Sequence, residues 1–179
     1  MTQKEIQNGW TNFIDEYTHK ILPIYENHEQ TFDFVGLHGR RHLTRSLIFA
    51  EILGRFYFLM GEKSIDFDGI RIAVSYHDSG REGNGTDYWE SESSENCRNY
   101  LIDNGKTEAY ANKISSMILQ KKGDIKIREE QIVYDVDVIE IIRVFSSREN
   151  FRKKELFFLG ENNLHNNFSS VLKLSLIHI

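Results

Sequence analysis

A histidine and an aspartate stand side by side at the end of an apolar stretch of the chain. Apolar side chains dominate residues 70–76 and predict a buried helix over 67–78, which His77 and Asp78 close. A core helix does not normally end in two titratable groups unless they face a polar cavity. An imidazole nitrogen and a carboxylate oxygen together suit Mn, Fe, Co, Ni, Mg or Zn, with water completing the shell. The doublet therefore predicts a functional site.

A pair of histidines precedes the doublet by some forty residues. His38 and His42 are four positions apart, so on a helix both rings would lie on one face, with Arg45 one turn further along. The pair is not isolated, because the His-Asp doublet follows it, and this favours a functional role. The alternative is that one histidine caps the helix and the other is a satisfied, half-buried side chain.

Two aspartates follow in a strongly apolar segment. A helix places Asp135 and Asp137 about 200° apart, so only one of them can face the His-Asp doublet. Tyr134 and Asp137 share a stripe of this helix. The many branched apolar residues over 132–142 leave few faces for solvent, and a buried Asp137 would need a partner. The alternative is a solvated surface carboxylate.

The segment directly after the doublet, Arg81-Glu82, opens a glycine-rich loop. A glutamate there can act as a general base or orient a catalytic group, and an arginine can hold phosphate. Gly83 and Gly85 would let backbone approach a ligand closely. The alternative is an exposed turn with no chemical role.

Composition excludes several classes of protein. The chain has 179 residues, 40% of them hydrophobic and 27% charged, with a net charge of −5, which gives no electrostatic case for binding nucleic acid. Cys97 is the only cysteine, so no disulfide framework exists and a reducing cytoplasmic setting is expected. The longest apolar stretch, 47–60, is interrupted by charges and is too short to span a membrane.

Helical spacing dominates from end to end and predicts a single all-α bundle. The predicted helices are a first one that stops before Pro23, then 36–61, 67–78, 87–102, 107–120, 128–145 and a weaker one over 150–159. Asp87 and Glu90 resemble a capping box, Asn104-Gly105 ends the fourth helix, and 162–167 is a loop. Residues 174–179 look like translated sequencing-adapter read-through. We therefore expect one domain over 1–173 and a non-native tail over 174–179. We also expect that the sequence is truncated and that the native chain continues beyond this domain.

The order histidine, His-Asp, distant aspartate resembles the HD phosphohydrolase superfamily. In that pattern the last ligand is the second aspartate of Asp-x-Asp, which here is Asp137. The resemblance implies an HD-like helical bundle. It also implies that any divalent ion (Mn, Fe, Mg or Zn) is held by His42, His77, Asp78 and Asp137.

A closer resemblance covers about residues 36–143. The run from His77 to Glu82, the segment 85–93 with its Asp-Tyr-Trp-Glu, and the His-Gly-x-x-His at 38–42 are similar to the phosphodiesterase domain of the SidE effector family. That family cleaves the pyrophosphate of ADP-ribosylated ubiquitin, joining phosphoribose to a serine or releasing it, without an obligatory metal.

Carried over residue by residue, the SidE resemblance implies catalytic roles for four positions. His38 matches the nucleophilic or general-base histidine, Glu82 matches the catalytic glutamate, and His42 supports His38. Tyr134 stands where the family has its second catalytic histidine. Arg81 and Arg45 would bind the substrate.

Three functions therefore remain open. The first is a SidE-like phosphodiesterase acting on a phosphodiester-containing substrate such as ADP-ribosylated ubiquitin, in the cytoplasm or, for an effector, after translocation into a host cell. The second is a metal-dependent HD phosphohydrolase acting on nucleotides, in which the ion activates water. The third is a non-catalytic helical binding module.

Overall fold

The computed structural model describes residues 11, 13–85, 88–119 and 127–144. The described residues are helical and contain no strand, so the predicted all-α class is confirmed. In chain order the elements are a π-helix Tyr17–Ile21, then α1 Leu22–Thr31, α2 Arg40–Leu59, α3 Phe67–Tyr76, α4 Glu90–Asp103, α5 Glu108–Ser116, a 3-10 helix Met117–Leu119 and α6 Arg128–Val144.

Helix α3 lies at the centre of the bundle. It contacts α2, α4, α5 and α6, and nine of its ten residues are buried, as expected of a helix that is apolar on all sides. Asp66 caps its first turn by accepting a hydrogen bond from the backbone nitrogen of Gly69. The helix ends at Tyr76, so His77 and Asp78 stand directly at its C-terminal end, inside the bundle.

Helix α2 is the longest element, as predicted, but it is shorter than the predicted 36–61. Gly36 and Gly61 lie outside it with φ of 71° and 118°, a left-handed backbone that favours glycine. Gly39 is the N-cap residue. The prediction that His38 belongs to this helix is wrong, because His38 lies in the loop before the cap.

The prediction that the first helix stops before Pro23 is also wrong. The chain passes from the π-helix straight into α1, with Pro23 in the first turn of α1. Proline has no N–H to donate, and the first turn of a helix is where that donor is not needed. The wider π turn before it keeps the chain helical.

The remaining helices match their predicted positions within a few residues. Helix α4 begins at Glu90 with Trp89 as its N-cap, and Gly105, with φ of 73°, follows its end. The capping role given to Asp87 lies outside the described residues, as do the segments 150–159 and 162–167 and the tail 174–179. Among the described residues, no helix is both long and apolar enough to cross a membrane.

Candidate functional site

Three histidine rings surround one carboxylate oxygen at the C-terminal end of α3. Oδ2 of Asp78 lies 2.9 Å from Nδ1 of His38, 3.3 Å from Nε2 of His42 and 3.4 Å from Nε2 of His77. Three separate parts of the chain supply these groups. The loop before α2 carries His38, the first turn of α2 carries His42, and the end of α3 carries His77 and Asp78.

The other oxygen of Asp78 is held by an arginine. Nε of Arg81 donates to Oδ1 of Asp78 over 2.8 Å, and a terminal nitrogen of Arg81 donates to the carbonyl of Gly83. The guanidinium also lies over the ring of Trp89. Burial alone would raise the pKa of Asp78, but the surrounding histidines outweigh burial and hold that pKa well below its usual range. Asp78 is therefore an ionised carboxylate that only accepts hydrogen bonds.

The ionised state of Asp78 fixes the tautomer of His38. Nδ1 of His38 must carry the proton that it shares with Oδ2 of Asp78. The lone pair of His38 is then on Nε2, on a side chain that is 21% exposed. An imidazole oriented by a buried carboxylate is the arrangement used for general bases and for nucleophile activation.

The backbone around His38 is held by a second buried carboxylate. The two oxygens of Asp33 accept hydrogen bonds from the backbone nitrogens of Leu37 and His38, each over 2.8 Å. Asp33 is itself only 1% exposed. The position of His38 is thus set from both sides, by Asp33 at its backbone and by Asp78 at its ring.

His77 and His42 are oriented by their second ring nitrogens. Nδ1 of His77 lies 2.6 Å from the carbonyl of Val74 and must donate to it. Nε2 of His42 lies 2.9 Å from Nε2 of His77 and 3.3 Å from Oδ2 of Asp78. The two rings are therefore in direct contact beside Asp78.

Helix α6 contributes a glutamate that sequence reasoning missed. Glu140 is 2% exposed, and Oε2 of Glu140 lies 3.3 Å from Nδ1 of His42 and 3.0 Å from Arg45. Burial alone would lower the pKa of His42, but hydrogen bonds with Asp78 and Glu140 outweigh burial and raise that pKa to about 9. His42 is thus an imidazolium at neutral pH. The available signal was a lone glutamate within the apolar run 138–142.

The second Asp-x-Asp aspartate does not have the predicted environment. Asp137 is exposed, whereas Asp135 is 0% exposed. The expectation that the apolar run buries Asp137 is therefore wrong, because the two side chains lie on opposite sides of α6. Tyr134 is half-buried and packs against the hydrophobic core. Among the described residues, Asp137 does not belong to the group of possible ligand atoms that His38, His42 and Asp78 form.

The loop residues beside the site divide into buried and exposed ones. Arg81 is buried against Asp78, and Arg45 is paired with Glu140, so both arginines predicted to bind substrate hold site carboxylates. Glu82, which follows Arg81 in the loop, has an exposed side chain.

The donor set also fits a divalent cation. Ligand atoms of His38, His42 and Asp78 all lie within 4.8 Å of one another, and nitrogen with carboxylate oxygen suits first-row divalent ions. His42 and His77 each donate from the other ring nitrogen to a carboxylate or a carbonyl, which is common among metal-binding histidines. This group differs from the predicted set of ligands, since among the described residues it includes His38 and neither His77 nor Asp137.

Comparison with known proteins identifies the family. The family model described as the SidE phosphodiesterase (PDE) domain matches residues 38–176. The chain belongs to the SidE phosphodiesterase (PDE) domain family. No curated protein and no solved structure gives a match. The SidE PDE match begins at His38, so it contains every residue of the histidine cluster and leaves Asp33 and the loop 34–37 outside.

Proposed function

We propose that this SidE PDE domain cleaves a phosphodiester or pyrophosphate bond, with His38 as the nucleophile or general base. The observation that supports this role most directly is the His38–Asp78 hydrogen bond of 2.9 Å. It places the proton on Nδ1 and leaves the Nε2 lone pair for attack on phosphorus or for taking a proton from water. Glu82, on the loop that Arg81 anchors, is the second catalytic group, as general base or orienting group.

The charges around His38 favour an anionic substrate in this proposal. His42 is an imidazolium held by Glu140 and Asp78, so it can stabilise negative charge that develops on phosphate oxygens. Arg45 and Arg81 keep their proposed substrate-binding roles, although each also holds a carboxylate. We propose that Tyr134 occupies the position that the second catalytic histidine has in the family.

The proposed substrate is ADP-ribosylated ubiquitin, and family membership supports it. Cleavage of its pyrophosphate would release AMP and leave phosphoribose on ubiquitin. We also propose that the bundle is related to the HD superfamily, on the strength of the His-Asp doublet at the end of a buried helix. The cytoplasm is the proposed location, with entry into a host cell if the protein is an effector.

A metal-dependent HD phosphohydrolase is the second candidate. The group formed by His38, His42 and Asp78 supports it, as do the bonds that orient His42 and His77. A bound divalent ion would polarise the phosphate and lower the pKa of water. In this case His38 is a ligand and not a nucleophile.

One set of measurements separates these functions. We expect bis(p-nitrophenyl) phosphate to be hydrolysed by the purified protein, and turnover to survive a chelator. His38→Ala should lower turnover by about 10²–10⁴-fold, whereas His19→Ala, at an exposed position, should not. Stoichiometric metal with activity lost to the chelator would establish the metal-dependent candidate instead. A wild-type protein with no turnover of this reporter or of ADP-ribosylated ubiquitin would indicate a non-catalytic module.

A further inference from the structure

The two loops that carry His38 and Glu82 are joined through the short segment that follows α1. Nδ2 of Asn84, two positions after Glu82 in the chain, donates to the carbonyl of Phe32 over 3.0 Å. The next residue, Asp33, is 1% exposed, and its two carboxylate oxygens accept hydrogen bonds from the backbone of the His38 loop. Phe32 therefore holds the Glu82 loop, and Asp33 holds the His38 loop.

This segment is itself fixed to the core of the bundle. The backbone nitrogens of Phe32 and Asp33 both donate to the carbonyl of His28 in α1, over 3.0 and 2.8 Å. The ring of His28 is buried and contacts the rings of Tyr25 and Phe32, with centroids 5.3 and 4.9 Å away. Oη of Tyr25 in turn donates to the carbonyl of Ser75 in α3. The segment thus has a fixed position relative to the helix that ends in the His-Asp doublet.

The loop that carries Glu82 is held on both sides of this residue. Arg81, directly before Glu82, bonds to the carboxylate of Asp78 over 2.8 Å, and Asn84 bonds to Phe32 on the other side. The side chain of Glu82 is exposed, so its position depends on the backbone that carries it. Loss of the Asn84 contact would release one side of this backbone and leave Arg81 in place.

We propose that Asp33 and Asn84 are positioning residues that fix His38 and Glu82 relative to one another. Asp33 acts on the backbone of His38, and Asn84 acts on the backbone of Glu82. The inference rests on the proposed function, in which these two side chains act on the same phosphodiester. A small displacement of either group from its productive geometry lowers kcat, whereas an unchanged KM indicates that substrate binding is intact. Asp33 precedes the residues 38–176 that match the family model.

Asn84→Ala tests the link to the Glu82 loop, at an exposed position where the fold should tolerate it. We expect kcat for bis(p-nitrophenyl) phosphate to fall by about 2–10-fold, the effect of one hydrogen bond, with KM unchanged. Because Asn84 acts through Glu82, the double variant with Glu82→Gln should be no slower than Glu82→Gln alone. Asn104→Ala removes an equally exposed bond from a side-chain amide to a carbonyl, at the end of α4, and should not change kcat.

Asp33→Asn tests the link to His38. The amide offers one oxygen to two backbone donors, so we expect kcat to fall by about 10²-fold, as for other small misplacements of a reacting group, with KM unchanged. Asp66→Asn is the matched control, because Asp66 also accepts from a backbone nitrogen, at the opposite end of α3 from the site. It should leave kcat unchanged.

Two NMR measurements test the same contacts without turnover. The resonance of the proton that His38 shares with Asp78 should shift in Asp33→Asn and stay in place in Asp66→Asn. The backbone order parameter of Gly83 should fall in Asn84→Ala and stay unchanged in Asn104→Ala.

The outcomes separate this proposal from the proposed function. Wild-type kcat in both Asp33→Asn and Asn84→Ala would overturn the proposal, as would a raised KM at unchanged kcat or a fully additive loss in the double variant with Glu82→Gln. An unchanged His38 resonance together with an unchanged Gly83 order parameter would overturn it as well. If the wild-type protein hydrolyses no phosphodiester, the two NMR changes would support the positioning roles and refute the phosphodiesterase function alone.

Discussion

At the scale of single residues, Asp78 shows that the His-Asp doublet depends on several other side chains around it. A carboxylate that is 4% exposed is stable only if charges or donors replace the water that it loses. The His38, His42 and His77 rings face one of its oxygens, and Arg81 faces the other. Asp78 can therefore stay ionised in the interior and orient the ring of His38.

The role of Glu82 can be tested with an isosteric change. Glu82→Gln keeps the size of the side chain but removes the proton acceptor, so we expect turnover to fall by about 10²–10⁴-fold. The midpoint of thermal unfolding should barely move, because the side chain is exposed. Glu95→Gln on α4, also exposed, is the control. Wild-type turnover in Glu82→Gln would mean that Glu82 has no catalytic role.

Glu140 and Asp137, one helical turn apart on α6, should respond very differently to amidation. Glu140→Gln leaves Arg45 without its counter-charge and leaves His42 with Asp78 as its remaining carboxylate, and we expect a loss of about 3 kcal/mol in the free energy of unfolding. Asp137→Asn changes an exposed side chain and should cost less than about 1 kcal/mol. Denaturant titration of both variants measures the difference. Equal losses would contradict the placement of Glu140 in the site.

Stability should also depend on the protonation of His42. Because folding raises the pKa of His42 to about 9, its contribution is fully present below the unfolded value of about 6.5 and is lost as pH rises through 9. We expect the free energy of unfolding, measured with a chelator present, to fall between pH 7 and pH 9. The same curve for His42→Gln should be flatter. A wild-type curve that rises over this interval would show that His42 folds as a neutral ring.

At the scale of elements, the site depends on how the turn after α3 packs against α4. A Cβ at Gly80 would meet Cβ of Glu92 at 2.5 Å and the backbone nitrogen of Ser93 at 2.7 Å. The backbone nitrogen of Gly80 also donates a hydrogen bond to Oγ of Ser93. The turn that carries Asp78 and Arg81 therefore packs closely against the first turn of α4.

Two glycines of the same loop provide a matched test of this close packing. The added methyl group of Gly80→Ala must push the turn away from the backbone of α4. We therefore expect a loss of about 1–3 kcal/mol in the free energy of unfolding together with reduced turnover. Gly85→Ala meets nothing within 4 Å and should change neither quantity. Thermal unfolding and reporter hydrolysis measure the two effects. A fully active, stable Gly80→Ala protein would argue against the close packing.

At the scale of the whole molecule, α3 joins the site to the core. Its apolar side chains contact four other helices, while its C-terminal end brings His77 and Asp78 to His38 and to His42 of α2. The free energy that packs the bundle is therefore also what brings the site residues together. Loss of the core should abolish the site in the same transition.

The only cysteine of the chain can report that transition. Cys97 is fully buried in the core, and burial raises the pKa of its thiol to about 12, so little of the thiolate that reacts with alkylating reagents is present. We expect iodoacetamide at neutral pH to modify Cys97 only on unfolding. The labelled fraction should follow the loss of helical signal in denaturant. Rapid labelling of the native protein would contradict the burial of α4 against the core.

The sequence alone was enough for the helical class, for most helix positions and for the His-Asp doublet. Helical periodicity and glycine stops act locally, which is why α3 and the end of α4 at Gly105 could be predicted. The sequence also indicated His77 and Asp78 as candidate site residues, because few other uses explain such groups at the end of an apolar helix.

Only the tertiary structure decided which distant residues complete the site. The choice between Asp135, Asp137 and Glu140 depends on the rotation of α6 about its axis, which is set by packing against α2 and α3 and not by local spacing. The same packing makes His42 an imidazolium, since its partners Asp78 and Glu140 are 36 and 98 positions away along the chain. Contacts between helices, which no local pattern records, fixed the charge and geometry of this site.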